Sequence, residues 1–308
     1  MLDKLEIIDC PICNNRDFIP LDKRQDGLVI VRCKTCGLAC LNPRPILSEL
    51  STLYSNDYYL RGTESRVGYA GYKLTLWETL HYPPFGWELI LEHISLMDKR
   101  TLDIGCAFGR MVAWCSRAGA RATGIDLISS GVEWGRRKLG LDLRQMSIEE
   151  FAHSTERFDM ITLIDVLEHF ANPAAILNDI SKLVRPGGII FIQTPNFGTY
   201  SRQKVESIHL RTSLEHLTYF EKGTLDRILV ENGWQLIRPT EVYTLMPDKS
   251  EQELRGLKRY SFLKNFLGKS ILRKFYRRIC PFKNVYDLDP SGQYGSALVV
   301  CAKRKEGF

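Results

Sequence analysis

Residues 102–109 read Leu-Asp-Ile-Gly-Cys-Ala-Phe-Gly. A short apolar run that carries an acid and ends in a glycine-rich turn predicts a β-strand and its loop, and a helix of about ten residues should follow from Arg110. Residues 122–126 form a second short apolar run, which ends in Asp126, 21 residues after Gly105. This order is the βαβ arrangement that holds a nucleoside, because the acid after the second strand accepts hydrogen bonds from ribose hydroxyls.

The loop differs from the fingerprint of dinucleotide-binding folds. That fingerprint, G-x-G-x-x-G, presents a helix N-terminus to a pyrophosphate. Here the loop reads G-x-A-x-G, and Asp103 precedes it. A carboxylate at this point would repel phosphates and tolerate a cation. The loop therefore favours a cationic nucleoside such as S-adenosylmethionine over a nicotinamide dinucleotide.

Three further segments agree with this interpretation. Residues 102–109 resemble motif I of the class I S-adenosylmethionine-dependent methyltransferases, and residues 158–169 resemble the fourth-strand motif of their ubiquinone-type O-methyltransferase subgroup. Residues 183–192 resemble the L-x-P-G-G turn that leads into the fifth strand, and residues 194–196 match the end of that strand. The resemblance covers roughly residues 85–245, and the combination is more specific than any single motif.

The resemblance implies an α/β, Rossmann-like fold with a seven-stranded sheet whose last strand is antiparallel. It also implies a set of cofactor contacts. These are Asp103, Gly105, Cys106, Ala107 and Gly109 at the methionine end, Asp126 at the ribose, Leu127, Ser147 and Ile148 at the adenine, and Asp165 beside the sulfonium. Ala107 stands where many relatives have glycine. An alternative role for Asp165 is to cap the helix that follows.

Three side chains are candidates for the chemistry of methyl transfer, which depends on positioning and, for a hydroxyl acceptor of high pKa, on a base. His169 follows Glu168 just after the fourth strand, and His216 lies in a segment that resembles the family's E-H-x-x-x-F. A structural histidine that holds the turn is the alternative for His169. Glu168 and His169 together also suggest a divalent metal, as in some quinone O-methyltransferases. No third ligand stands out in the sequence, so a metal-free base is favoured.

Four cysteines near the N-terminus form two C-x-x-C pairs, Cys10 with Cys13 and Cys33 with Cys36, separated by nineteen residues. This spacing is typical of a zinc ribbon. Two such turns close a tetrahedral shell of four thiolates, which predicts a structural zinc ion. The alternative is four unrelated buried cysteines. Cys40 is interpreted as a neighbour of the site, and residues 28–32 as a strand of the ribbon.

The segments divide the chain into five parts. They are a zinc ribbon (1–45), a helical lid or linker (46–100), the methyltransferase core (101–248), a basic helical insertion (249–290), and the last core strand with a tail (291–308). The ribbon, Asn42-Pro43-Arg44-Pro45 and the Tyr-rich stretch that ends at Tyr59 together resemble bacterial methyltransferases of polysaccharide and antibiotic-sugar pathways.

The basic charge of the chain is concentrated in the insertion. Residues 249–285 contain eleven Lys or Arg and two acids, a net charge of +9, which leaves −3 for the rest of a chain whose total is +6. A helix predicted over 269–280 separates apolar from basic residues on opposite faces. One interpretation is a helix packed on the core with a solvated basic face. The other is a surface that contacts anionic lipid headgroups or a phosphate-bearing substrate.

The sequence thus predicts a methyltransferase that acts on a hydroxyl or carbon of a small-molecule acceptor, or of one linked to a glycan or lipid. A zinc-ribbon RNA methyltransferase is disfavoured because residues 164–168 lack the N-P-P-Y type motif of base-amino methyltransferases. An inactive cofactor-binding module is disfavoured because the cofactor motifs are intact. An acidic N-terminus and the lack of a long apolar run indicate a cytoplasmic protein. Peripheral contact with the inner face of the membrane through 249–285 is the second interpretation.

Overall fold

The computed structural model describes residues 4–24, 26–51, 54, 83–84, 86–198, 215–245, 286–288 and 297–305. Most of the predicted lid and nearly all of the basic insertion, including the helix predicted over 269–280, lie outside these ranges.

The described strands and helices are numbered here in chain order. The strands are β1 (Leu5–Glu6), β2 (Phe18–Lys23), β3 (Val29–Cys33), β4 (Ala39–Leu41), β5 (Arg44–Pro45), β6 (Arg100–Ile104), β7 (Arg121–Asp126), β8 (Asp142–Gln145), β9 (Phe158–Ile164), β10 (Val184–Pro195), β11 (Thr218–Tyr219), β12 (Trp234–Leu236), β13 (Glu241–Leu245), β14 (Tyr286–Leu288) and β15 (Ala297–Arg304). The helices are α1 (Leu47–Ser51), α2 (Trp87–His93), α3 (Arg110–Arg117), α4 (Ser129–Leu139), α5 (Ile148–Phe151), α6 (Pro173–Leu183) and α7 (Lys222–Glu231), and a 3₁₀ turn spans Leu167–His169.

A mixed sheet forms the centre of the fold, in the order β14-β13-β15-β10-β9-β6-β7-β8, and β12 also pairs with β15. The five strands from β10 to β8 are parallel, whereas β15 is antiparallel to β10. The central strands β9 and β10 are buried over most of their length, as expected for strands covered on both faces, whereas β8 at the edge of the sheet is mostly polar. The predicted Rossmann-like fold with an antiparallel last strand is confirmed.

The sheet has nine strands, two more than predicted. The sixth strand of the seven that the family resemblance implies is divided, since β12 pairs with one end of β15 and β13 with the other. Pairing of this strand continues to the N–H of Ile237, which donates to the Cys301 carbonyl, and breaks at Pro239, which has no N–H to donate. The second addition is β14, which comes from residues assigned to the insertion and pairs with β13 at the edge of the sheet.

The order of the strands determines where a ligand can bind. β6 pairs with β7 on one side and with β9 on the other. The chain therefore leaves the sheet in opposite directions after β6 and β9, and this opens a crevice at the carboxyl ends of the strands. The loops that follow β6, β7 and β9 line this crevice. They carry the predicted residues 105–109, Leu127, Asp165, Glu168 and His169.

The N-terminal part of the chain forms a second, four-stranded sheet in the order β11-β4-β3-β2. Its first three strands are a meander, and the predicted strand at 28–32 is confirmed as β3. The fourth strand comes from much later in the chain, since Thr218 and Tyr219 pair with Cys40 and Ala39. The sheet thus connects the N-terminal cysteines directly to the segment that contains His216.

No helix within the described ranges combines the length and the apolar character that a bilayer crossing requires.

Gly135 in α4 allows the helix to pack closely against the first loop of the crevice. A methyl group at this position would overlap the Leu143 side chain and lie 2.6 Å from the Phe108 carbonyl oxygen. We expect Gly135→Ala to lower the free energy of unfolding by about 1–3 kcal/mol. Gly223→Ala in α7 is the matched control, because nothing lies within 4 Å of the added methyl, and it should leave stability unchanged or raise it by up to about 1 kcal/mol. Urea unfolding of both variants checks this, and equal losses would contradict it.

Candidate functional site

The first loop of the crevice adopts an unusual backbone conformation. Gly105, Ala107 and Gly109 all have positive φ values, of 70°, 48° and 84°. Such a conformation costs a residue with a side chain on the order of 1 kcal/mol or more. At Ala107 it is stabilised by a hydrogen bond of 2.8 Å from the backbone N–H to Oδ2 of Asp126. This bond helps an alanine to adopt the left-handed conformation at this position.

Asp126 is buried at the end of β7, where it joins two loops of the crevice. Oδ2 accepts the Ala107 N–H, and Oδ1 accepts the Ile128 N–H at 2.8 Å. Two N–H donors, one on each oxygen, fix the orientation of the carboxylate. This arrangement is compatible with the predicted role at a ribose.

Asp103 is a buried acid below the same loop, and its Oδ1 accepts a hydrogen bond of 2.6 Å from the Thr162 hydroxyl. Burial raises the pKa of Asp103 to about 7, and the charge of Asp126 adds to this effect. A positive charge bound nearby would stabilise the ionised carboxylate. The electrostatics of the loop therefore favour a cationic ligand, as the sequence predicted.

The remaining residues predicted to contact the cofactor have different environments. Leu127 is 48% exposed beside the crevice, whereas Ile148 and Cys106 are buried. Ser147 is the N-cap of α5, because its hydroxyl accepts the Glu150 N–H and its own N–H donates to the Glu150 carboxylate. Ser147 thus has a structural role of its own, next to the end of β7.

Asp165 follows β9 with a positive φ of 53°. Its Oδ1 accepts a hydrogen bond of 2.7 Å from Nε2 of Gln193 on the neighbouring strand β10. The alternative in which Asp165 caps a helix is wrong, since the N-cap of the 3₁₀ turn is Val166 and no side chain caps that turn. The carboxylate is instead held at the end of the sheet, on the side of the crevice opposite Asp126.

Glu168, His169 and His216 come together in one cluster, although the two histidines are 47 residues apart in the sequence. The imidazole rings stack with their centroids 5.0 Å apart, and Nε2 of His169 lies 4.0 Å from Oε1 of Glu168. One donor atom from each of the three side chains lies within 4.8 Å of the other two. The third potential metal ligand, which the sequence analysis did not identify, is therefore His216.

The burial of this cluster bears on which group it can hold. Glu168 is only 2% exposed, and its Oε2 accepts a hydrogen bond of 2.8 Å from the Thr194 hydroxyl. Oε1 of Glu168 and Nε2 of His169 are buried with no hydrogen-bond partner in the described part of the chain. Burial raises the pKa of Glu168 well above its usual range and lowers that of His169 to about 4. One carboxylate and two imidazoles are a common ligand set for a divalent metal, so the cluster fits such an ion.

The four predicted zinc ligands also lie together. The sulfur atoms of Cys10 and Cys36 are 3.4 Å apart, those of Cys13 and Cys33 are 3.5 Å apart, and all four lie within 4.8 Å of one another. A Zn–S bond of about 2.3 Å implies sulfur–sulfur distances of about 3.8 Å in a tetrahedral shell. Four thiolates in this geometry fit zinc, which remains a prediction. Cys40 is buried nearby and is not part of the group of four.

Each cysteine pair lies in a tight turn. The Asn14 N–H donates to the Cys10 carbonyl, and the Gly37 N–H donates to the Cys33 carbonyl. Gly37 has a φ of 78°, a conformation that glycine adopts without strain. The two turns thus direct their sulfur atoms towards one point, as the C-x-x-C spacing predicts.

Comparison with known proteins identifies relatives of the crevice and its loops. Residues 86–238 match the model of a family described as a methyltransferase domain. A ubiquinone biosynthesis O-methyltransferase of Dechloromonas aromatica (strain RCB) is 32% identical over 198 residues, which are 60% of this chain and 80% of that protein. Another, of Stutzerimonas stutzeri (strain A1501), is 37% identical over 111 residues, 34% of this chain and 48% of that protein. The chain thus spans about half the length of the first curated relatives that it matches.

The crystal structure of a SAM dependent methyltransferase from Archaeoglobus fulgidus matches 70% of this chain and 90% of that chain, with a TM-score of 0.47 and 17% sequence identity.

We expect the purified chain to contain zinc bound by the four cysteines. The Cys13→Ser variant should lose the zinc, and its N-terminal sheet should become disordered, because metal binding supplies folding free energy in such modules. After cobalt substitution, thiolate-to-metal charge-transfer absorption distinguishes this site from the Glu168 cluster. Cys40→Ser is the matched control, since Cys40 is buried beside the group without belonging to it. Retention of the absorption in Cys13→Ser, or its loss in Cys40→Ser, would refute the four-cysteine site.

Proposed function

The chain belongs to the class I S-adenosylmethionine-dependent methyltransferases, and we propose that it transfers a methyl group from S-adenosylmethionine to a hydroxyl or carbon of a small-molecule acceptor, or of one linked to a glycan or lipid. One observation carries the proposal. The buried cluster of Glu168, His169 and His216 adjoins the predicted cofactor loop, since Gly105 packs so closely on Val166 that a methyl group at residue 105 would overlap the Val166 side chain. Groups able to handle a proton therefore lie next to the loop assigned to the methionine end of the cofactor.

The cofactor supplies a methyl group that is bound to a sulfonium. After the transfer, the sulfur remains in the departing product as a neutral thioether. In this proposal Asp126 holds the ribose hydroxyls, and the backbone of residues 105–109 follows the methionine moiety. Asp103 on β6 and Asp165, which directly follows the neighbouring strand β9, lie at the cationic end. The raised pKa of Asp103 supports this assignment, because the sulfonium would favour its ionised form.

His169 is the proposed base for a hydroxyl acceptor. It takes the hydroxyl proton while the bond between oxygen and methyl carbon forms and the bond between sulfur and that carbon breaks. Its lowered pKa keeps the imidazole neutral at physiological pH, so that Nε2 can accept a proton. His216 stacks on His169 and restricts the orientation of its ring.

A second candidate is metal-assisted transfer to a hydroxyl, and a specific observation favours it. Two buried atoms without a hydrogen-bond partner in the described residues, Oε1 of Glu168 and Nε2 of His169, lie 4.0 Å apart, and one potential ligand atom from each of Glu168, His169 and His216 lies within 4.8 Å of the other two. A divalent cation there would lower the pKa of a coordinated hydroxyl. An imidazole with a pKa of about 4 is also a weak base at neutral pH, since the most effective catalytic pKa lies near the working pH.

We expect the purified chain to bind S-adenosylmethionine with a dissociation constant in the micromolar range, about −8 kcal/mol. Asp126→Ala should weaken binding by about tenfold or more, because two loop N–H groups and the ribose lose their acceptor. Asp142→Ala is the control, because this acid lies at the start of β8, away from the crevice, and is held by Thr123 and Arg144. Calorimetry measures all three proteins. No binding of the sulfonium together with tight binding of a nicotinamide dinucleotide would overturn the proposed function.

Turnover can be followed as S-adenosylhomocysteine formed with a panel of phenolic and sugar hydroxyl acceptors. We expect His169→Gln to lower kcat by about a hundredfold and to leave cofactor affinity unchanged. His153→Gln is the control, because His153 is exposed in the turn after α5. Unchanged turnover in a folded His169→Gln protein would reduce His169 to a structural residue.

Manganese titration monitored by electron paramagnetic resonance distinguishes the two candidate mechanisms. Metal-assisted transfer requires one bound Mn²⁺, affinity that falls in Glu168→Gln and His216→Gln, and turnover that a chelator abolishes. A metal-free base requires turnover that persists in the chelator and no Mn²⁺ bound at these residues.

A further inference from the structure

Arg24 is a buried arginine far from the cysteines of its own module. It lies in the connection between β2 and β3, and its side chain is completely inaccessible to solvent. Its guanidinium donates to both carboxylate oxygens of Asp26, at 2.7 and 3.3 Å. The remaining nitrogen, Nη1, donates to the Tyr219 hydroxyl at 2.9 Å and to the His216 carbonyl oxygen at 3.2 Å.

Burial of the Arg24–Asp26 ion pair costs the β2–β3 hairpin desolvation free energy. Removing a guanidinium and a carboxylate from water carries a desolvation penalty that a buried ion pair recovers only when further hydrogen bonds complete the geometry. Here those further bonds all go to one place outside the hairpin. Tyr219 also donates to the His216 carbonyl at 3.2 Å, and burial raises the pKa of Tyr219 to about 12, so its hydroxyl stays protonated as a donor. Two donors thus converge on a single carbonyl oxygen.

The chain next to this carbonyl is fixed from the opposite side as well. The Leu217 N–H donates to the Glu168 carbonyl at 3.0 Å, and the Leu217 carbonyl accepts the Leu41 N–H at 3.0 Å. The backbone on both sides of the peptide bond from His216 to Leu217 is therefore held, by the N-terminal sheet and by the turn that carries Glu168. The orientation of that peptide sets the direction in which the His216 side chain leaves the backbone.

We infer that Arg24 is a positioning residue that acts, with Tyr219, on the His216 carbonyl, so that the N-terminal cysteine module determines how the His216 imidazole faces Glu168 and His169. The importance of that orientation for turnover rests on the proposed function. The geometric part of the inference rests on the hydrogen bonds alone.

A second ion pair between the same two parts of the chain provides a matched control. Arg32 on β3 binds Glu221 at 2.6 Å, and it also donates to the Gly37 carbonyl. Both members of this pair are about a quarter exposed, at 24% and 27%. Arg32 thus joins the module to the segment that follows β11, at a distance of five residues along the chain from His216.

The test uses the full chain labelled with ¹⁵N-histidine, with the His216 ring signal identified by its loss in His216→Gln. Arg24→Lys keeps a cation beside Asp26 and loses the forked geometry, whereas Tyr219→Phe removes one hydroxyl and keeps the ring. In both variants we expect the His216 imidazole shifts to move while the chain stays folded. Arg32→Met should lower the melting temperature and leave the His216 signal in place.

The same variants are tested for turnover. Arg24→Lys and Tyr219→Phe should lower kcat by about ten- to a hundredfold, as expected for a misplaced catalytic group, and leave affinity for S-adenosylmethionine within about twofold. An unmoved His216 signal in folded Tyr219→Phe and Arg24→Lys would overturn the inference, as would equal shifts in Arg32→Met. The ring signals report geometry without any acceptor, so an inactive wild type with the expected shifts would contradict the proposed function and support the inference.

Discussion

The main-chain carbonyl of Glu168 is the contact on which the arrangement of the site depends. It accepts hydrogen bonds from the Leu217 N–H at 3.0 Å and from the Thr218 hydroxyl at 3.3 Å. Through these bonds the turn after β9 holds the segment that continues into β11, and β11 completes the N-terminal sheet. This junction brings the segment of His216 to the turn of His169, and through β11 it contributes to joining the cysteine module to the crevice.

Buried acids give the crevice its electrostatic character. Asp103, Asp126 and Glu168 are all buried, and burial raises the pKa of Asp103 and of Glu168. Neighbouring carboxylates raise them further. Ionisation of these buried carboxylates costs most free energy when no cation is bound beside them. A sulfonium on one side of the crevice and a metal ion on the other would each lower the cost of ionising the carboxylates near it.

Local patterns were sufficient to predict the centre of the fold. The apolar runs before Gly105 and before Asp165, the glycine-rich loop and the spacing to Asp126 all depend on neighbours in the sequence, and each lies where the pattern indicated. The broken sixth strand was missed because its signal is a single proline, Pro239, in an otherwise suitable run. β14 was missed because three residues of strand carry too little pattern of their own.

The site was predictable only in part for a related reason. Glu168, His169 and His216 were all named as candidates, the first two because they are adjacent and His216 from its own segment. The place of His216 beside the other two depends on the Leu217 N–H bond to the Glu168 carbonyl and on pairing between β11 and β4, which no local pattern encodes. The same holds for Arg24, whose burial depends on Tyr219 and His216. Ser147 shows the opposite case, since the capping box with Glu150 is a local signal that explains this serine without any ligand.

The shared sheet also has a consequence for the order in which the chain folds. During synthesis the cysteine turns and strands β2 to β4 are complete once residue 41 has left the ribosome, but the partner of β4 is not made until residues 218 and 219. At about 5–20 residues per second, the edge of β4 remains unpaired for on the order of 10–40 s. An unpaired edge is a site for wrong association with other strands. The nascent N-terminal segment therefore passes through a period in which one edge of β4 is open, before the rest of its own chain covers it.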